Sequence, residues 1–373
     1  MIYLDNAATT IPSKKALEEA SIFNNTNFFN PSALYSGGLN IAKEIKKAKE
    51  TLLKNIGALS HELIFTSCGS ESDNMAVFCS VKRGVFVTTK GEHSAIYKSF
   101  LELKNRGVTT FFADLNADGS VNVDALLKII SENNASFVSI IHVNNETGAI
   151  NDVNAIAQQI KNIDKNIIIH VDGVQAYGKI PYKISNNIDL YSISAHKINA
   201  LKGTGALIKK KGVNLSPLIF GGGQENGLRS GTENVFGIKV FEYASMDKYK
   251  NLEKDYNYVK EVKDTLLSKI DKGIFEVISG ENSSPYILSI SAKGLRGEVL
   301  MHLLENEGII VGNGSACSSK NRFSRVIEAC GYSKDILDGV LRLSFSTDIT
   351  LEQSSSIADT LNNTAIKLKG ALN

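Results

Sequence analysis

Between residues 61 and 210 short β-rich runs alternate with helical patterns, and this alternation restricts the fold more than any other feature. The runs are Leu63–Thr66, Val85–Thr89, Phe137–Val143, Ile167–Val171, Leu190–Ile193 and Gly205–Ile208. Several are apolar on both faces, which suits strands covered on both sides in a largely parallel sheet. Between them Ala125–Ile130 and Val153–Ile160 read as crossover helices, and Ile41, Ile45, Ala48 and Leu52 mark one face of an earlier helix. The pattern predicts an α/β fold whose ligand sites lie beyond the carboxyl ends of strands. A long helical stretch, Val235–Ile270, follows. The mixed remainder from Ile274 closes with a helix over Leu351–Leu368 and reads as a second, smaller domain.

The charge balance narrows the function. Forty-one Lys and Arg against 39 Asp and Glu give a net charge of +2 in 373 residues, no electrostatic footprint for nucleic acid or a membrane surface. Four cysteines, at positions 68, 79, 317 and 330, form no CxxC pair, so neither a disulfide framework nor a metal site is expected. The segment Met1–Asp5 has no basic and apolar leader pattern, and no stretch supplies the roughly 20 apolar residues of a membrane span. The expectation is a soluble cytoplasmic enzyme.

Four segments carry residues suited to chemistry. In Leu63-Ile-Phe-Thr-Ser-Cys-Gly-Ser70 a strand runs into Gly69, and Ser70 opens a helix with Asp73 three residues on, a capping-box spacing. The same geometry makes an anion cradle of free N–H groups and a hydroxyl. There is no Walker A loop and no GxGxxG turn. Asp172 stands at the exit of an apolar strand, where it either meets a ligand or caps the next turn. Ser194-Ala-His196-Lys197 follows another strand end. A lysine and a strand-end acid with Ser and His nearby match what pyridoxal phosphate (PLP) requires: a Schiff-base amine, an acid facing the pyridine nitrogen and donors for the phosphate. Finally, Cys317 lies among small residues in Gly312-Asn-Gly-Ser-Ala-Cys317, unlike a core cysteine. Cys79 and Cys330 sit in apolar surroundings and read as inert, whereas Cys68 adjoins the anion cradle.

Together with Tyr3-Leu-Asp-Asn-Ala-Ala-Thr-Thr10, Gly91-Glu-His93, His142-Val-Asn-Asn-Glu-Thr-Gly148, His170-Val-Asp-Gly-Val-Gln175 and Arg229-Ser-Gly-Thr232, these segments resemble the cysteine desulfurases. Those are PLP enzymes of the class V aminotransferase family with the type I fold, and the resemblance runs nearly the length of the chain. It implies a mostly parallel seven-stranded sheet with helices on both faces, plus a smaller α+β domain. The large domain would span 14–253, with 1–13 and 254–373 forming the small domain that carries the Cys317 loop.

Roles follow position by position from that resemblance. Lys197 would bond the cofactor, His93 would stack on its ring, Asp172 would face the pyridine nitrogen and Gln175 the ring oxygen. Gly69, Ser70, Ser194 and His196 would hold the phosphate, with Thr232 donated by the other subunit of a homodimer. Asn145 and Arg342 would bind the substrate carboxylate. L-cysteine would be converted to L-alanine, with Lys197 moving the α-proton and Cys317 keeping the sulfur as a persulfide. An iron–sulfur scaffold or tRNA-thiolation protein would accept it. Selenocysteine lysis, another class V aminotransferase or lyase reaction, or a non-catalytic PLP-binding subunit are the rival readings, and transamination needs no thiol. Two departures stand beside Lys197: Ala195 replaces a usual Gly, and Ile198-Asn-Ala-Leu201 replaces a Gly/Pro-rich turn.

Overall fold

The computed structural model describes residues 1–80, 83–313 and 323–372, and in it the two-faced apolar runs become strands. The strands are β1 (Ile2–Leu4), β2 (His61–Thr66), β3 (Val85–Thr89), β4 (Thr110–Ala113), β5 (Ala135–Ile141) and β6 (Ile168–Asp172). They continue as β7 (Leu190–Ser194), β8 (Gly205–Lys210), β9 (Phe275–Val277), β10 (Ile287–Ala292), β11 (Ile309–Val311) and β12 (Val340–Ser344). Seven of them form one sheet in the order β2-β8-β7-β6-β5-β3-β4. The run from β7 to β4 is parallel, and only β8 opposes its neighbours. Alternate residues face opposite sides, so Val87, Val138 and Ile169 enter one apolar cluster while Phe86, Phe137 and Leu190 enter another. The edge strand β4 escapes the sequence pattern because it is four residues long and only half-buried at three of them.

Local chemistry sets the crossover helices. The Asp152 carboxylate accepts from the Ala155 amide at 3.0 Å and starts the helix Val153–Ile163, whose Val153, Ile156, Ala157 and Ile160 are buried. The helix Ser36–Asn55 buries Ile41, Ile45, Ala48 and Leu52, the face that the spacing predicts. The helix Val123–Asn133 ends where Asn134 turns left-handed at φ 50.

The remaining strands form two small sheets, β1 parallel to β11 and antiparallel β12-β10-β9. The helix Val235–Lys269 joins both halves of the core. Its Phe241 and Ala244 pack on the large sheet, and its Val259, Val262 and Leu266 pack with Leu288, Ile290, Leu341 and Leu343. Among the described residues no helix is long and apolar enough to cross a membrane.

A strap over residues 5–10 ties the small sheets to the large one. Asn6 Nδ2 donates to the Ser344 carbonyl at 2.9 Å, and the Ala7 amide donates to Ser344 Oγ at 2.8 Å. At its far end Thr10 Oγ1 donates to the His196 carbonyl at 2.9 Å and accepts from the Asn199 amide at 2.7 Å. Asn199 takes a left-handed φ of 64, which is how the turn after Lys197 closes without a glycine there. Ala195 is fully buried and donates its amide to the Thr204 carbonyl at 3.1 Å.

Strand β8 begins where it touches the chain entering the helix Gly69–Cys79. A Cβ on Gly205 would lie 2.5 Å from the Cys68 carbonyl carbon, a backbone atom with nowhere to go. Gly205→Ala is therefore expected to lower unfolding stability by about 2 kcal/mol, the scale of overpacking a rigid contact. Urea denaturation checks this, and an unchanged midpoint contradicts the contact.

Candidate active site

The carboxyl ends of the parallel strands open on one cavity of about 330 Å³. Gly69, Ser70, His93, Asn145, Asp172 and Gln175 line it, as do Ser194, His196, Lys197 and Arg342. A larger groove of about 770 Å³ lies against the helix Val235–Lys269 and shares no lining residue with this one. Its buried cation, Lys263, is already bonded to Ser283, Ser284 and Ile287.

One end of the cavity is built for an anion. The helix Gly69–Cys79 starts there with Cys68 as N-cap and no side-chain cap bond, leaving its first N–H groups to the cavity. The expectation of Ser70 and Asp73 as a capping pair is corrected here. Glu71 is the residue that reaches back, accepting from the Ser67 amide at 2.8 Å, while Asp73 is buried under the site. Ser194 Oγ is buried with no hydrogen-bond partner. Gly69 lacks the Cβ that would come within 2.9 Å of Val174 Cγ2 and 3.3 Å of Ser194 Cβ, so backbone approaches this corner closely.

The middle holds the amine, the acids and an imidazole. Lys197 Nζ donates to the Ala7 carbonyl at 2.6 Å and to the Ala8 carbonyl at 2.8 Å, both on the strap. Gln175 Nε2 donates to the same Ala7 carbonyl at 2.8 Å. Asp172 Oδ1 accepts from the Val174 amide at 3.0 Å. Burial pushes the Asp172 carboxyl up to about 6, against the pull of the Val174 N–H and of Lys197. Asp73, His93 and Asp172 bring their polar atoms within 4.8 Å of one another. Asp73 is 1% exposed, its Oδ1 without a hydrogen bond and 3.7 Å from His170 Nε2, and burial followed by the nearby Asp172 charge raises its pKa well above the ordinary value. His93 Nδ1 accepts from the Ala95 amide at 3.2 Å, which puts the ring proton on Nε2. Burial, with Lys197 and two arginines adding, lowers its pKa to about 4, so the imidazole is neutral. His196 is likewise lowered to about 4, chiefly by burial, and its Nδ1 meets Thr9 Oγ1 at 3.1 Å.

The opposite end is cationic. Arg342 Nη2 donates to Asp5 Oδ1 at 2.8 Å and Nη1 donates to the Asn145 carbonyl at 3.0 Å, which fixes the guanidinium plane. Arg342 Nε and Asn145 Oδ1 are buried without partners. Glu146 lines the same wall and accepts from the Ser324 hydroxyl. Arg325 lies on the Tyr97 ring, 3.8 Å from its centroid, and donates to the Glu92 carbonyl at 2.5 Å beside His93.

Ten of the residues that the sequence marks for chemistry thus share one cavity. Thr232 does not reach it within a single chain; it lines a pocket of about 110 Å³ with Glu225 and Arg229. Cys317 lies outside the described residues. Asp5, Ala7, Ala8, Asp73 and Glu146 belong to the site with no sequence signal for that role, although Asp5, Ala7 and Ala8 fall inside the Tyr3–Thr10 motif. Of the other cysteines, Cys79 and Cys330 are buried, and burial raises their thiols to about 11 and about 12. Cys68 faces the cavity.

Glu92 supplies a pH test of this burial. Its Oε1 accepts from Thr89 Oγ1 at 2.8 Å and from the Ile141 amide at 2.9 Å, and burial raises its pKa from 4.5 to about 8. A raised carboxyl favours the folded state fully below the unfolded value, and that contribution is lost as pH rises through the folded value. Glu92→Gln does not titrate, so its stability relative to wild type is expected to climb between pH 4.5 and about 8 and then level off. The climb is at most roughly 1.4 kcal/mol per pH unit, and urea melts across this range measure it. A difference that stays flat with pH refutes a neutral Glu92.

Comparison with known proteins gives the family. The aminotransferase class-V family model matches residues 2–355. The chain is 35% identical to the cysteine desulfurase IscS of Dictyoglomus turgidum, over 99% of this chain and 95% of the relative. Among solved structures, a NifS-like protein superposes with a TM-score of 0.91 at 31% identity, covering 98% of this chain and 100% of its own. SspA in complex with cysteine superposes with a TM-score of 0.80 at 27% identity, covering 93% and 99%. A match over nearly the whole length, with the expected fold, means that the chain belongs to the class-V aminotransferase family, alongside the cysteine desulfurases.

Proposed function

We propose that this chain is a PLP-dependent cysteine desulfurase that converts L-cysteine to L-alanine and leaves the sulfur on Cys317 as a persulfide. The observation that carries the reading is a single cavity with Lys197, Asp172 and His93 between an uncapped helix N-terminus and Arg342. The donor set fits the cofactor. The orphaned Ser194 hydroxyl and the free N–H groups at Gly69 and Ser70 suit a phosphate, and His196 stands at the same end. Asp172 suits a protonated pyridine nitrogen: at ~4 Å such a pair is worth about 4 kcal/mol at an effective dielectric of 20. Members of this family are PLP enzymes, and a structural neighbour was solved with cysteine.

Bound PLP supplies an electron sink that lets bonds at the substrate's α- and β-carbons break. The protein does the rest. Arg342, with its plane fixed by Asp5 and Asn145, presents Nε and its remaining hydrogens to the substrate carboxylate. The Ala7 and Ala8 carbonyls hold the Lys197 amine at the cavity, where it takes the α-proton and returns one. Neutral His93 offers an Nε2–H to the acids and the ring beside it. The Cys317 thiolate attacks the substrate sulfur. The new S–S bond forms as the substrate C–S bond breaks, and the electron pair stays with the carbon skeleton, which takes up a proton to become alanine.

The same reading gives a homodimer in which Thr232 reaches the partner's phosphate end, a cytoplasmic location, and an iron–sulfur scaffold or tRNA-thiolation protein as acceptor. It also divides the chain into a large domain over 14–253 and a small one from 1–13 and 254–373. Support for that division comes from the two apolar clusters that meet along the helix Val235–Lys269.

Sulfide release from L-cysteine in the presence of a thiol tests the proposal. Wild type should be yellow and active. Lys197→Ala should lose the visible band, and Cys317→Ser should keep it while its persulfide yield falls at least 100-fold. A colourless wild type after reconstitution, or an undiminished Cys317→Ser, overturns the reading.

A further inference from the structure

Lys179 is a buried cation with no part in the chemistry of Lys197, Arg342 and Cys317. It is 5% exposed, and among the described residues no carboxylate faces it; the charged groups around it are Lys197, Lys248 and Arg342, all of its own sign. An ammonium in such a place is strongly disfavoured unless a specific partner holds it. Among the described residues its side chain has one hydrogen bond, Nζ donating to Gln175 Oε1 at 2.9 Å, and it lies 6.0 Å from the centroid of the Tyr286 ring. Burial, with those three cations adding, lowers its pKa well below the ordinary value, yet the amine has a hydrogen to give in either charge state.

The partner is the informative part. An amide is readily turned end for end, and which end faces the cavity decides whether the residue donates or accepts there. Gln175 is gripped on both ends. Its Nε2 donates to the Ala7 carbonyl at 2.8 Å, a group that can only accept, and its Oε1 receives the Lys179 hydrogen. Turning the amide over would set oxygen against oxygen at Ala7 and would cost the Lys179 hydrogen its acceptor. The remaining Nε2 hydrogen is then the only polar hydrogen that Gln175 can offer to the cavity it lines. The Ala7 carbonyl also accepts from Lys197 Nζ at 2.6 Å, so the chain Lys179–Gln175–Ala7–Lys197 is continuous.

We propose that Lys179 is a positioning residue whose bond to Gln175 Oε1 locks that amide as a hydrogen-bond donor toward the anionic ring oxygen of the cofactor. The inference rests on the PLP reading of the cavity. A donor at the ring oxygen favours its anionic form, so a proton held beside that oxygen leaves at lower pH. Without Lys179 only the Ala7 carbonyl opposes the turned amide, so the donor is lost part of the time and that proton is held more tightly.

The test is a pH titration of the visible absorbance band of the PLP-loaded protein in wild type, Lys179→Met, Gln175→Leu and the double variant. Methionine keeps the length and apolar bulk and removes the donor together with its charge, whose direct effect on the band would add to that of Gln175→Leu. Lys179→Met should raise the apparent pKa of the band by about one unit, a tenfold change in that equilibrium. Gln175→Leu should raise it at least as far, and the double variant should match Gln175→Leu alone, since Lys179 acts through that amide. A purely structural lysine would lower the melting temperature of the unloaded protein without moving the band, and its effect would add to that of Gln175→Leu. An unmoved band in Lys179→Met, or additive shifts, overturns the proposal. If Lys179→Met does not fold, Gln175→Leu still decides: a band that ignores loss of the amide also overturns it. A wild type with no visible band removes the PLP reading itself, and this inference with it.

Discussion

One backbone carbonyl, that of Ala7, receives both the Lys197 amine at 2.6 Å and the Gln175 amide at 2.8 Å. Its position is set by a strap that belongs to neither sheet alone. Ser344 on β12 binds the Ala7 amide from one side, and Thr10 knits the other end to His196 and Asn199. The strap also carries Asp5 to Arg342. The Lys197 amine, the Gln175 amide and the Arg342 guanidinium are therefore spaced by one short stretch of main chain, bonded at one end to β12 and at the other to the turn after β7. A backbone acceptor cannot swing away as a side chain can, so the spacing is as rigid as those anchors.

Around that scaffold the cavity concentrates charges that burial opposes. Asp73 and Asp172 lie close enough that full ionisation of both is unfavourable, and Glu92 is pushed up to about 8 close by. Lys197, Arg342 and Arg325 face them from the other wall and, added to burial, lower His93 to about 4. His93 is thus a neutral imidazole beside Asp73 and Glu92, whose neutral forms burial favours, and beside Asp172, which at about 6 is the carboxylate near neutral pH.

Much of this was legible in the residue order, because a parallel sheet presents its functional side chains where strands end. Asp172, Ser194 and Lys197 each follow a run that is apolar on both faces, and a run of that kind and length belongs in the middle of a sheet covered on both sides. What the sequence hid was contact across long separations. Asp5 and Arg342 are 337 residues apart, and nothing in either neighbourhood names the other. Asp73 was legible as a residue but not as a role: its spacing from Ser70 imitates a cap, while in space it lies beside Asp172 and His93. Lys179 follows Gln175 by four residues in a segment that is not a helix, so helical spacing gives no reason to pair them. Strand β4 failed for a simpler reason, since a short half-buried edge carries too little apolar pattern to register.

The buried thiols of Cys79 and Cys330 bear on the fate of the sulfur. A persulfide passes its outer sulfur to whatever thiolate meets it first, and a thiol raised to about 11 or about 12 is almost never a thiolate in the cell. The interior is thus chemically deaf to the cargo. Of the described cysteines only Cys68 faces the cavity. By burying Cys79 and Cys330 and raising their thiols, the fold offers a persulfide no sink at either position.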